Sequence, residues 1–222
     1  MKFNLYLFEY VNIIALLLLF YYYKSTTGQG RIFLFFLIIA IIFESILVRY
    51  MDSIKYNSEY PFAIYATAYC ATFYNILLLR ELKNHKLFRL FISYLIIWEL
   101  VNLYLLIFQK EFIGINGISY VIGLTLFVIM FLTYCHERIF NKEFTPIWSE
   151  PTIWLGVGIT IMYVACFTTF IFLNDFFLHE TIKTLTKTII EAGNLFLSFG
   201  YFMSAICFTP VSKYIFKRQT IA

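Results

Sequence analysis

Apolar runs with little charge recur along the chain at about residues 5–23, 31–50, 61–80, 87–108, 116–135, 152–173 and 184–209. Each has roughly the 20 residues that a helix needs to cross a hydrocarbon core of about 30 Å. Polar or helix-breaking stretches separate them: Thr26–Gly30, Asp52–Pro61, Arg80–Lys86, Lys110–Gly117, His136–Pro151 and Asn174–Lys183. Within the first of these, Gly28-Gln29-Gly30 reads as a short linker. Pro61 and Pro151 stand where runs begin, a position at which a missing N–H is tolerated. Pro210 stands near the end of the last run, where it ends or bends a helix. The runs are too long and too uniformly apolar for barrel strands of about 10 alternating residues. The pattern predicts an all-α membrane protein: a bundle of seven transmembrane helices, one domain over residues 1–222, with short loops that make consecutive helices antiparallel neighbours. The first run carries Glu9 and has no small-residue cleavage site after Phe20-Tyr21-Tyr22-Tyr23, so it reads as a retained helix rather than a secretory signal.

Composition strengthens this reading. Of 222 residues, 61% are apolar and 14% charged, against about a quarter charged in soluble domains. With 27 Phe and 18 Tyr, a soluble fold of this size has no way to hide its apolar surface. Seven helices take about 140 residues, and the remainder is expected to form only loops and tails, with no separate soluble domain. Charge then orients the bundle. The loops after runs one, three and five and the C-terminal tail hold Lys24, Arg31, Arg80, Lys83, Lys86, Arg89, Arg138, Lys142, Lys213, Lys217 and Arg218, while the opposite side holds Lys2, Arg49, Lys55, Lys110, Lys183 and Lys187. Because Lys and Arg concentrate on the cytoplasmic side, the N-terminus is expected outside and the C-terminus inside, in a bacterial cytoplasmic membrane. The net charge of +4 is then a topology signal and an attraction to anionic lipid. No basic run is dense enough to follow a phosphate backbone, so nucleic acid is not an expected partner. Cys70, Cys135, Cys166 and Cys207 fall within runs or at a cytoplasmic end, which implies buried thiols and no disulfide framework.

The candidate chemistry lies in charges inside the runs. Glu9, Glu44, Glu99 and Glu191 all fall in the outer half of the predicted membrane. A carboxylate there costs several kcal/mol unless paired, hydrated or protonated. Three of the four repeat one pattern, Glu-x-x-Asn: Glu9 with Asn12, Glu99 with Asn102, and Glu191 with Asn194. Residues three apart share a helix face, so each pair offers a carboxylate and an amide to the same neighbour. In the last run the face extends through Lys187, Glu191, Asn194 and Ser198, and Lys187 is placed to pair with Glu191. Arg49 is a candidate partner for Glu44 or for another helix. Two readings stand. Glu9, Asn12, Glu44, Glu99, Asn102, Lys187, Glu191 and Asn194 line an outward-facing polar pocket for an ion or small ligand, or they are polar packing devices between helices. Gly117, Gly123, Gly156, Gly158, Gly193 and Gly200 are candidates for close helix approach.

Enzyme signatures are missing from the sequence. His85 and His136 sit at the cytoplasmic side and His179 outside, so they cannot share one zinc. There is no serine-hydrolase elbow and no phosphate-binding glycine loop. No catalytic residue, metal or cofactor is therefore assigned. The deep lysine that retinal needs in a last helix is also missing, since Lys183 and Lys187 lie near its outer end.

The segment Glu150-Pro151-Thr152-Ile153-Trp154-Leu155-Gly156, followed by Tyr163, resembles the sixth helix of seven-helix transmembrane modules in bacterial sensory proteins of the Bacteroidetes type. The resemblance covers the number of spans and this one motif. It implies a sensor or signalling subunit, and in those proteins a signalling domain often follows helix seven. Here the chain ends about a dozen residues after the last run, so the output is expected on a cytoplasmic or membrane protein partner. The alternatives are a small proton- or ion-coupled transporter, and a structural or assembly subunit of a membrane complex. The ligand and the oligomeric state are not legible in the sequence.

Overall fold

The computed structural model describes residues 6–43, 50, 70, 72–108, 112–140, 147–171 and 180–216. Among these the chain is helical, with no strand. The helices are α1 (Leu7–Tyr21), α2 (Gly28–Ile41), α3 (Thr72–Leu79), α4 (His85–Phe108), α5 (Phe112–Phe140), α6 (Pro151–Ile171), α7 (Glu180–Phe208) and the short α8 (Ser212–Ile215), with a 3-10 turn at Ile147–Ser149 before α6. Each of the seven apolar runs overlaps one of α1–α7. The part of the third run before Thr72 lies outside the described residues, apart from Cys70. Two stretches are long and apolar enough to cross a membrane by length and composition, His85–Tyr104 and Lys187–Phe208.

Several boundaries differ from the sequence reading: His85 and Lys86 already belong to α4 and Phe112–Gly117 to α5, and three more differ as follows. Gly28-Gln29-Gly30 is the first turn of α2 and not a linker. Thr27 caps it, its Oγ1 accepting the Gly30 N–H at 3.1 Å, which satisfies one of the donors a helix start leaves open. His136–Phe140 continues α5 rather than opening a loop, because no Gly or Pro interrupts the chain there. Glu180–Lys183 forms the first turn of α7.

The helices group into two compact units, Met1–Tyr50 with Phe144–Ala222, and Met51–Glu143. In the first unit, α6 and α7 form an antiparallel hairpin held at very short range. A Cβ added to Gly200 would lie 2.7 Å from the Trp154 carbonyl oxygen and 3.3 Å from Gly158 Cα, and one on Gly193 would lie 2.8 Å from Ala165 Cβ. The glycines therefore let two backbones touch, as expected of small residues between apolar helices. Ser204 Oγ donates to the Pro151 carbonyl at 2.8 Å, fixing the hairpin's open end. α2 packs antiparallel to α7 through aromatic rings: Phe33 lies 5.6 Å from Phe208 and 5.9 Å from Tyr201, and Phe36 lies 5.8 Å from Tyr201. α1 turns into α2 through Tyr22–Thr27 and lies along both α2 and α7. It is antiparallel to α2 and so parallel to α7. After α7, Thr209 and Pro210 turn the chain into α8.

In the second unit α3, α4 and α5 pack together. Tyr74 meets the Phe127 ring edge-on at 6.1 Å. The Trp98 indole covers Gly123, where a Cβ would collide with it. Lys83 N–H donates to Glu137 Oε2 at 3.1 Å, tying the α3–α4 turn to the extended end of α5.

Candidate functional site

The structure places the repeated Glu-x-x-Asn pairs in three different environments. In the second unit, Thr72 Oγ1 donates a hydrogen bond to Glu99 Oε1. No cation pairs with Glu99 among the described residues. Asn102, one turn along α4, is buried. Asn75, one turn along α3 from Thr72, is fully buried and donates to the Gly123 carbonyl at 3.4 Å. Thr72 with Glu99 and Asn75 with Gly123 thus form a polar layer joining α3 to α4 and to α5. The sequence reading named Glu99 and Asn102 but missed Thr72. Its signal was available: Thr72-Phe73-Tyr74-Asn75 repeats the spacing of three that marked the glutamates.

In the first unit Glu9 and Asn12 are each 3% exposed, on the stripe of α1 that continues through Ala15 and Leu19. Glu9 sits in the first turn, and its Oε2 accepts the Tyr6 N–H at 2.6 Å, so this carboxylate also caps α1. Asn12 Oδ1 is buried with no hydrogen-bond partner. On α7, Lys187 Nζ and Glu191 Oε1 stand 3.9 Å apart as an exposed i,i+4 pair, the pairing that the spacing predicted. Asn194 is half-buried and Ser198 buried one turn further along the same face. Glu44 and Arg49 lie outside the described residues.

The segment that carries the sensory-module resemblance is built into the α6–α7 hairpin. Trp154 Nε1 donates to the Trp148 carbonyl at 2.7 Å, the two indoles are 5.5 Å apart, and Trp154 meets Phe199 edge-on at 6.0 Å. Cys207 Sγ approaches the same Trp148 carbonyl at 3.8 Å. Cys70, Cys135 and Cys207 take part in no disulfide among the described residues. Among the described residues, no three His, Cys, Asp or Glu side chains group as metal ligands.

Outward faces are apolar. α4 exposes Leu90, Ile96, Ile97, Leu100 and Leu103 while burying Phe91, Leu95, Trp98 and Asn102. Only 22% of its apolar stretch is buried, so α4 is not a core helix of the ordinary soluble kind. No family model, no curated protein and no solved structure matches this chain.

Proposed function

We propose that the chain is a non-enzymatic integral membrane protein of seven helices, N-terminus outside and C-terminus in the cytoplasm of a bacterial cell, acting as a sensor or signalling subunit. The membrane part rests on the outward apolar faces around buried Asn and Glu, the arrangement that lipid favours and water does not. The sensing part rests on one observation: the Glu99 carboxyl is held by the neutral hydroxyl of Thr72, with no cation beside it among the described residues. A carboxyl in that setting gains or loses a proton, or takes a cationic group, with a large local change in charge. Helix α4 then shifts against α3 and α5, and a cytoplasmic or membrane partner reads the shift at the α3–α4 turn and the end of α5.

The test is isolation from native membranes in mild detergent after cross-linking, with wild type and Glu99→Gln compared across pH. The expected result is one stoichiometric partner whose yield depends on pH in the wild type and not in the variant. Isolation without any stoichiometric partner sinks the sensor reading. A second reading, a small ion-coupled transporter, is favoured by Asn75, which continues the polar layer one turn toward the predicted cytoplasmic end of α3. Substrate-dependent proton flux in proteoliposomes, lost in Glu99→Gln, would establish it in place of the sensor. A structural subunit would instead leave the cell unaffected when all four glutamates become Gln.

A further inference from the structure

At 100° per residue, α4 divides into two faces. Phe91, Leu95, Trp98 and Asn102 are buried and lie on one side. Leu90, Ile97, Leu100, Val101 and Tyr104 are exposed and lie on the other. Lys86 and Arg89, both exposed, fall on that second side near the start of the helix. Two positive charges therefore stand at the head of an apolar stripe. Helical side chains tilt toward the N-terminus, so both charged groups extend beyond the stripe while their methylene stems stay against it.

The start of α4 fixes this arrangement. Asn84 Oδ1 accepts the Lys86 N–H at 3.0 Å and the Leu87 N–H at 3.4 Å, and the Asn84 carbonyl accepts the Phe88 N–H at 2.8 Å. Leu82, just before it, is buried and pins the turn. The first turn of α4 holds no acid, and among the described residues no acid pairs with Lys86 or Arg89. Glu137 of α5 accepts the Lys83 backbone N–H at 3.1 Å. Arg80 and Lys83 add exposed positive charge beside Glu81. Cations at the positive end of a helix dipole are unfavourable unless an anion lies over them.

The fitting occupant is an anion with an apolar part. An acidic peptide would meet the charges and leave the stripe bare. A second copy set side by side would bring Lys86 and Arg89 against their own kind. A phospholipid satisfies both ends. Half of a hydrocarbon core is about 15 Å, the rise of about ten helical residues, so an acyl chain reaches from the level of Lys86 to about that of Ile97. The topology proposed above sets this end of α4 at the cytoplasmic leaflet, where anionic lipid gathers near Lys and Arg.

We propose that the outer face of α4 binds an anionic phospholipid, with its phosphate between Lys86 and Arg89 and an acyl chain along Leu90 and Ile97. The site rests on the membrane part of the proposed function and is independent of the sensor part. The lipid holds the start of α4 at the membrane surface.

The test uses the full-length protein in micelles that contain equal amounts of phosphatidylglycerol and phosphatidylcholine, with retained lipid read by native mass spectrometry. Phosphatidylglycerol is expected to be retained in preference. The double variant Lys86→Gln with Arg89→Gln is expected to weaken that retention about tenfold or more. The exchange Lys86→Arg with Arg89→Lys keeps both charges and is expected to preserve it. Lys213→Gln removes an exposed cation of α8 and is expected to leave retention unchanged. Glycerophosphate, which has the charge and no tail, is expected not to displace the lipid; displacement would overturn the acyl contact and with it the lipid site. Equal retention of the two lipids, or a preference that survives the double Gln variant, overturns the site alone. A protein that stays in solution without detergent or lipid removes the membrane reading, and the site with it.

Discussion

Glycine plays opposite parts at Gly28 and Gly200. A Cβ at Gly200 meets the Trp154 carbonyl at 2.7 Å, and a backbone oxygen cannot swing aside as a side chain would. Gly200→Ala must therefore push α6 and α7 apart, at a cost of about 1–3 kcal/mol for overpacking. Gly28, in the first turn of α2, has nothing within 4 Å of that position. Gly28→Ala is expected to be neutral or to stabilise by up to about 1 kcal/mol, since alanine is the better helix former. Thermal unfolding of both variants in detergent checks the contrast, and equal effects would mean that the α6–α7 contact is not the tight one described. At this scale the sequence was informative about type and silent about setting. The spacing in Glu9–Asn12, Glu99–Asn102 and Glu191–Asn194 is the same. Yet one glutamate caps its own helix, one accepts from a threonine on another helix, and one pairs with a lysine in the open. Spacing determines which face a residue occupies; only the neighbouring helix decides what that face meets.

Helix ends were legible where a local signal forces them. Pro151 opens α6 because a first-turn residue needs no N–H partner, and Pro210 follows the last turn of α7. They were misread where composition imitated a loop. The glycines of α2 look like a linker, yet Gly30 is a close-contact residue against Thr26 and Phe208. The charged end of α5 looks like solvent-exposed loop, yet Glu137 there accepts from the Lys83 backbone. The hairpin of α6 and α7 offers a test of an element as a unit. Its open end is held by Ser204 donating to the Pro151 carbonyl. Ser204→Ala leaves that carbonyl without this donor and is expected to cost about 1 kcal/mol. Ser212→Ala, which removes only a part-buried bond to Thr209 three residues back in the same turn, is expected to have a smaller effect. Denaturant titration of the two variants separates them, and an equal loss would show that the interhelix bond does not fix the hairpin.

For the molecule as a whole, the excess of Lys and Arg around the α3–α4 turn, the end of α5 and the C-terminal tail carries the topology proposal. A green fluorescent protein fused after Ala222 is expected to fluoresce, and alkaline phosphatase fused at the same place to be inactive. The reverse pair of results would invert the bundle. The order in which the parts of the chain become available matters as well. The unit from Met51 to Glu143 is continuous, but its companion is assembled from the two ends of the sequence, Met1–Tyr50 and Phe144–Ala222. A ribosome that adds about 5–20 residues per second needs roughly 7–30 seconds to travel from the end of α2 to the start of α7. During that interval α1 exists without α7, one of the helices it packs along. A nascent chain that stalls before α7 holds the buried stripe of α1, Glu9 and Asn12 included, short of one of the helices that α1 packs along.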